Sequence, residues 1–223
     1  MENNNFAKPC SPHVITFILF TLLVTIPNIT SACTNSTTIS TNSTQKINEN
    51  TPIPSNYSAN TFRTYLETSC NSTTYPSICY KYLSPYASKI EADPMKLCNT
   101  SLSLALKATK RASSTISEIL KMTNLTDIVK AVIKDCLDNV KTSMGQLQDS
   151  LAAMGQLDGI DKEFQISNIQ TWMSSSITDD QTCSDELDEM NLDATIRDQI
   201  RKVVLNAAMV NSNALYFVNK LIY

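Results

Sequence analysis

From residue 94 onward, apolar and small side chains return every three or four positions, and no stretch alternates apolar with polar as a half-buried strand would. After Asp93 and Pro94, a capping and first-turn pair, the series is Cys98, Leu102, Ala105, Ala108, Ala112, Ile116 and Ile119. A second, opened by Thr126 or Asp127, runs Val129, Val132, Cys136, Val140, Met144, Leu147, Leu151 and Met154. A shorter third is Ile166, Ile169, Met173 and Ile177; the fourth is Ile196, Ile200, Val203, Ala207, Asn211, Ala214, Val218 and Leu221. Each is the stripe of a helix burying one side. With links at 121–125, 155–163 and 178–193, the four predict an all-α chain folded as an up-and-down four-helix bundle. Asn211, the polar member of its seam, reads as a register-setting residue or as a seam edge open to water. Ahead of the bundle, short helical pieces broken at Pro76, Pro85 and Pro94 are expected.

The preceding sequence has a different character. "VITFILFTLLVTI" (14–26) is an apolar core too short to cross a bilayer. With Thr30 and Ala32 at minus three and minus one, it reads as a signal peptide over 1–32. Residues 33–60 are a Ser/Thr/Asn-rich segment with too little apolar surface to offset the entropy of ordering, hence a disordered spacer. The folded domain is then 61–223, one domain's worth of chain. Glycosylation sequons begin at Asn35, Asn42, Asn56, Asn71, Asn99 and Asn124.

Two shortages exclude much chemistry. Glycine occurs only at Gly145, Gly155 and Gly159, so no phosphate-cradling motif can be written. The single histidine, His13, falls in the signal peptide, which removes histidine-activated nucleophiles and the usual zinc sets from the mature chain. No catalytic, metal-binding or cofactor-binding residue is assigned. A net charge of −3 gives no basic face for nucleic acid, and no membrane association is expected after cleavage.

Cys33 falls in the spacer or is lost at cleavage. Cys70 and Cys79 are near enough for a local bridge, and a Cys136–Cys183 bond would tie the segment before the last helix to the bundle. Spacing leaves other pairings open. Cys98, on the first seam, reads as a buried, inert free thiol.

"TSCNSTTYPSICYKYL" (68–83) resembles the opening cysteine hairpin of the plant invertase and pectin methylesterase inhibitor family. "IKDCLDNVKTSMGQLQDSL" (133–151) resembles its third-cysteine helix, "FQISNIQTWMSSSITDDQTC" (164–183) the run to its fourth cysteine, and "NSNALYFVNKL" (211–221) its last helix. The resemblance implies an N-terminal helical hairpin before the bundle and bonds Cys70–Cys79 and Cys136–Cys183. It also implies a secreted, non-catalytic protein of the cell wall that covers the cleft of a carbohydrate-acting enzyme. The invertase-directed arm carries a Pro-Lys-Phe motif; the matching "DKEF" (161–164) keeps Lys162 and Phe164 without the proline, which favours the pectin methylesterase arm. As the sequence runs only to Tyr223, a free inhibitor rather than an enzyme's pro-region is expected.

Within 167–183, Trp172 is expected to anchor the third helix at the seam edge, and Ser174, Ser175 and Ser176 to form a small water-facing surface. Asp179 and Asp180, with the acids that follow, read as a solvated run. Candidate enzyme contacts are Lys107, Lys110, Arg111 and Ser114 on the first bundle helix and Lys141, Gln148 and Asp149 on the second. Alternative functions are inhibition of an acid invertase, or non-inhibitory binding of anionic pectin through Lys107–Arg111.

Overall fold

A computed structural model describes residues 55–222 apart from 158 and 191. The signal peptide, Cys33, Asn35 and Asn42 lie outside the described residues, as does the spacer up to residue 54. Seven α-helices follow in order: α1 (Ser55–Asn71), α2 (Pro76–Leu83), α3 (Ala87–Ile90), α4 (Pro94–Ile119), α5 (Asp127–Met154), α6 (Lys162–Glu189) and α7 (Ala194–Asn219). α1 thus opens within the last six residues assigned to the spacer. Helices α4 to α7 form the bundle: α4 packs on α5, α5 on α6, α6 on α7, and α7 back on α4. Helices α1 and α2 form the hairpin, which lies with α3 against α4 and α7.

The helix ends follow from local chemistry. Asp93 accepts a hydrogen bond from the Lys96 amide at 2.8 Å, with Pro94 in the first turn of α4. Thr126 caps α5 by accepting from the Val129 amide at 3.4 Å. Asp193 caps α7, accepting from the amides of Thr195 at 2.9 Å and Ile196 at 3.2 Å. Pro76 starts α2, and Pro85 sits in a 3-10 turn at Ser84–Tyr86. Between α3 and α4 the chain reverses through Glu91 and Ala92, at φ 54° and 59°. That left-handed pair disfavours side chains; it is held by the bond from the Asp93 amide to the Ile90 carbonyl and by the Glu91–Lys96 ion pair.

Three expectations about the helices need correction. The third bundle helix does not stop near residue 177 but continues to Glu189, so the link assigned to 178–193 shrinks to 190–193. Its buried series runs on through Ser176, Asp180, Cys183, Ser184 and Leu187 at the same three- and four-residue steps. Ser176, Asp180 and Ser184 do not read as apolar, and the apolar period passes instead through the half-buried Ile177. On α5 the stripe is rotated: Ile133, Leu137, Ser143 and Ser150 are buried, whereas Val129, Val132, Met144 and Leu151 are half-buried. Asn211 is fully buried, not open to water. The first seam is buried at every expected position from Cys98 to Ile119.

Two disulfides are present among the described residues. Cys70–Cys79 closes the α1–α2 corner with α-carbons 5.5 Å apart, and Cys136–Cys183 joins α5 to α6 with α-carbons 4.3 Å apart. In the chain-entropy picture the short loop contributes about 2.5 kcal/mol and the long one about 4 kcal/mol.

The hairpin is docked by polar ties that the sequence did not announce. The Asn213 side chain receives the Tyr75 amide on its Oδ1 at 3.0 Å and donates from Nδ2 to the Tyr75 carbonyl at 2.9 Å. Asn206 Nδ2 donates to the Tyr82 hydroxyl at 2.6 Å. Both asparagines belong to α7. Truncating Asn213 strands the Tyr75 amide and leaves the Tyr75 carbonyl with the Cys79 amide alone, at 2.9 Å, at a cost of about 2 kcal/mol. Asn213→Ala is therefore expected to lower the unfolding free energy by about that amount and to speed amide exchange over Pro76–Leu83 more than within α5 and α6. Equal exchange in the two regions would contradict this docking role.

Candidate partner-binding surface

All seven candidate contacts are exposed. On α4, Lys107, Lys110, Arg111 and Ser114 stand three and four residues apart, hence on one outward face. On α5, Lys141 pairs with Asp138 at 3.4 Å, and Asp138 also takes Lys134 at 2.7 Å. The hydrogen bond from Lys134 is the main reason the Asp138 carboxyl lies below the ordinary carboxylate range. Gln148 and Asp149 are exposed one turn and more beyond Ser143. The structure divides the α4 group. Lys107 and Arg111 line a recess of about 240 Å³ together with Lys81, Tyr82, Tyr86, Leu104 and Ala108, whereas Lys110 and Ser114 lie outside that lining.

Lys162 and Phe164 stand in the first turn of α6, with Phe164 64% exposed; Ile160, in the link before it, is fully exposed. Trp172 is half-buried against the core cluster that includes Ile169 and Met173. Asn71, Asn99 and Asn124 are exposed, and Asn56 lies in the first turn of α1. Cys98 is a buried free thiol, and burial pushes it up to about 12, so it carries no appreciable thiolate near neutrality. Among the described residues, no group of three His, Cys, Asp or Glu side chains is placed to hold a metal ion, and no helix is long and apolar enough to cross a membrane.

Beneath the outer faces of α5 and α6 runs a polar seam. The Ser143 and Ser176 hydroxyls are 2.7 Å apart. Asn211 Nδ2 donates to Ser176 Oγ at 2.9 Å and to the Met173 carbonyl at 3.3 Å. At the edge, Gln146 Nε2 donates to Ser175 Oγ at 2.9 Å. Two expectations fall here. Ser176 is not water-facing but wholly buried, with only Ser174 left exposed and Ser175 between the two. Asp180 is not part of a solvated run; it is fully buried, and neither carboxylate oxygen has a hydrogen-bond partner. Burial raises its carboxyl from 3.8 to about 7; the nearby Ser143 hydroxyl opposes the rise and the Asp179 charge adds to it. Unpartnered acceptors also remain on Asn211 Oδ1 and Gln146 Oε1.

A long-helix bundle clamped through Cys136–Cys183, behind a cysteine-closed hairpin, is the arrangement that comparison with other proteins decides. The family model described as plant invertase/pectin methylesterase inhibitor matches residues 64–217. The chain belongs to this family. It is 36% identical to pectinesterase inhibitor 10 of Arabidopsis thaliana over 74% of this chain and 53% of that one, so it spans about half of that relative. It is also 36% identical to the 21 kDa protein of Daucus carota, over 70% of this chain and 82% of the relative. The fold matches a crystal structure of a mutant pectin methylesterase inhibitor from Arabidopsis with a TM-score of 0.57 at 16% identity, covering 69% of this chain and 95% of that one. The family is one of non-catalytic inhibitors, and its hairpin and bundle are the ones described above.

The buried acid makes a pH prediction. Its folded-state affinity for a proton exceeds that of the unfolded chain, so the unfolded state sheds the proton first as pH rises. The contribution of Asp180 to stability is then full below about pH 4 and falls between about pH 4 and about pH 7, by at most about 4 kcal/mol. Asp180→Asn removes the charge at similar volume. It is expected to raise the chemical-denaturation midpoint at about pH 8 and to leave it nearly unchanged at about pH 4. An equal shift at both pH values would show that Asp180 is not the titrating group.

Proposed function

We propose that this chain is a secreted inhibitor of pectin methylesterase that acts in the cell wall by occluding the enzyme's active-site cleft. The observation that carries this reading is the family match across the whole bundle, with relatives that are pectinesterase inhibitors. The signal-peptide reading of 1–32 and two disulfides, which persist in oxidising compartments, support secretion. An interface that holds an enzyme needs about 800 Å² per partner, more than one helix face supplies. Lys110 and Ser114 of α4 and Lys141, Gln148 and Asp149 of α5 are therefore read together as contacts, with Lys107 and Arg111 at the margin. Glycans at Asn35, Asn42, Asn56, Asn71, Asn99 and Asn124 would sit on the exported form.

Acid invertase is the second reading, and one observation speaks for it: Lys162 and Phe164 stand exposed at the start of α6, where the invertase-directed arm carries its motif. Asp161 occupies the place of that motif's proline, which weighs against it. Purified chain titrated against a pectin methylesterase and an acid invertase decides between them. The expected outcome is a loss of methyl-ester hydrolysis that completes near one equivalent, with invertase untouched. Full esterase activity at excess chain, tested across acidic and neutral pH, would overturn the reading.

A further inference from the structure

The recess between α2 and α4 has a composition unlike the rest of this acidic chain. Lys81 enters from α2, and Lys107 and Arg111 from consecutive turns of α4; no acidic residue lines it. None of the three forms an ion pair, although five ion pairs occur elsewhere among the described residues. Lys107 and Arg111 stand at i and i+4, where like charges destabilise a helix. A chain of net charge −3 thus gathers three unneutralised cations at one concave place, at a cost to its own stability.

The walls are aromatic. Tyr82 and Tyr86, both half-buried, flank the cations, and the Tyr82 hydroxyl is fixed by the 2.6 Å bond from Asn206. Leu104 and Ala108 form the floor. At about 240 Å³ the recess is below the roughly 300–1,000 Å³ of a typical drug-sized site. It suits one or two sugar rings whose neighbours remain in solvent. Aromatic faces meet the apolar C–H side of a pyranose, and lysine and arginine meet carboxylates.

We propose that this recess binds a stretch of de-esterified, carboxylate-bearing uronan, so that the chain grips the acidic product of pectin demethylation through Lys81, Lys107, Arg111, Tyr82 and Tyr86. The choice of uronate among anions rests on the reading that the target enzyme acts on pectin; the presence of an anion site does not. Binding here would hold the inhibitor on wall polymer already processed by the enzyme, next to methyl esters still to be removed.

The test uses purified chain without enzyme and follows binding of a defined oligogalacturonate by calorimetry. Three controls accompany it: the same oligomer fully methyl-esterified, polyglutamate of matched charge, and rising salt. The expected result is salt-sensitive binding of the free acid, none of the ester, and at least about tenfold weaker binding of polyglutamate, since flexible chains lack the ring contact. A Lys81→Gln/Lys107→Gln/Arg111→Gln variant, and separately Tyr86→Ala, should each weaken oligogalacturonate binding by about tenfold or more. Should a variant misfold, acylation footprinting of the unaltered chain replaces it: oligogalacturonate should protect Lys81 and Lys107 but not Lys202 on α7. No binding, equal binding of polyglutamate, or an unchanged footprint overturns the proposal. Uronate binding by a chain that inhibits nothing would leave this site standing and remove the function proposed above; inhibition without uronate binding would do the reverse.

Discussion

The contact between α5 and α6 sets the dimensions of the molecule. With the α-carbons of Cys136 and Cys183 only 4.3 Å apart, the two helix axes run about 9 Å from one another at that level. At that spacing, ordinary for packed helices, the two 28-residue helices bury small as well as large side chains. Ser143 and Ser176 are among the small ones, and their hydroxyls satisfy one another. Asn211 completes the arrangement from α7, fixing the third helix of the group against the first two. The remaining bundle positions can be filled by ordinary aliphatics because this one line of contact fixes register. A slip by one residue would bury the wrong groups and leave both serines without partners.

Much of this is legible in the sequence, and the parts that are not share one cause. The first seam could be read without error because cysteine, leucine, alanine and isoleucine all announce burial. On α6 the seam passes through Ser176, Asp180 and Ser184, polar residues that interrupt the apolar period between Met173 and Leu187. Nothing in "SSSITDDQTC" (174–183) distinguishes a buried acid from a solvated one. That difference is created only when α5 and α7 arrive. The docking asparagines were hidden for the same reason: Asn213 meets Tyr75 across 138 residues of chain, a distance no local pattern spans. At the surface, the seven candidate contacts were correctly outward by helical period, but the partition of Lys107 and Arg111 from Lys110 and Ser114 required the hairpin to be in place. Lys81, Tyr82 and Tyr86 carry no local signal of their own and join them only through that docking.

Electrostatics divide the molecule into regions with different tasks. The bundle interior keeps its few polar groups in a line and holds one carboxyl neutral in acidic surroundings, where the unfolded chain would begin to ionise. The exterior of α5 spends its charge locally, Lys134 and Lys141 both on Asp138. At the α2–α4 recess, by contrast, the charges have no internal partner. Surface ion pairs add little to stability, so their uneven distribution says more about encounters with other molecules than about folding.

The two sulfur bridges never cross the boundary between hairpin and bundle: one closes inside the former, the other inside the latter. The junction is therefore held by packing and a few amide and hydroxyl contacts alone. Among the described residues, no disulfide stands in the way of its parting and reclosing. Whatever lodges astride α2 and α4 would act as a removable rivet, and the two bodies could be bred apart by evolution, one retuned while the other keeps its shape.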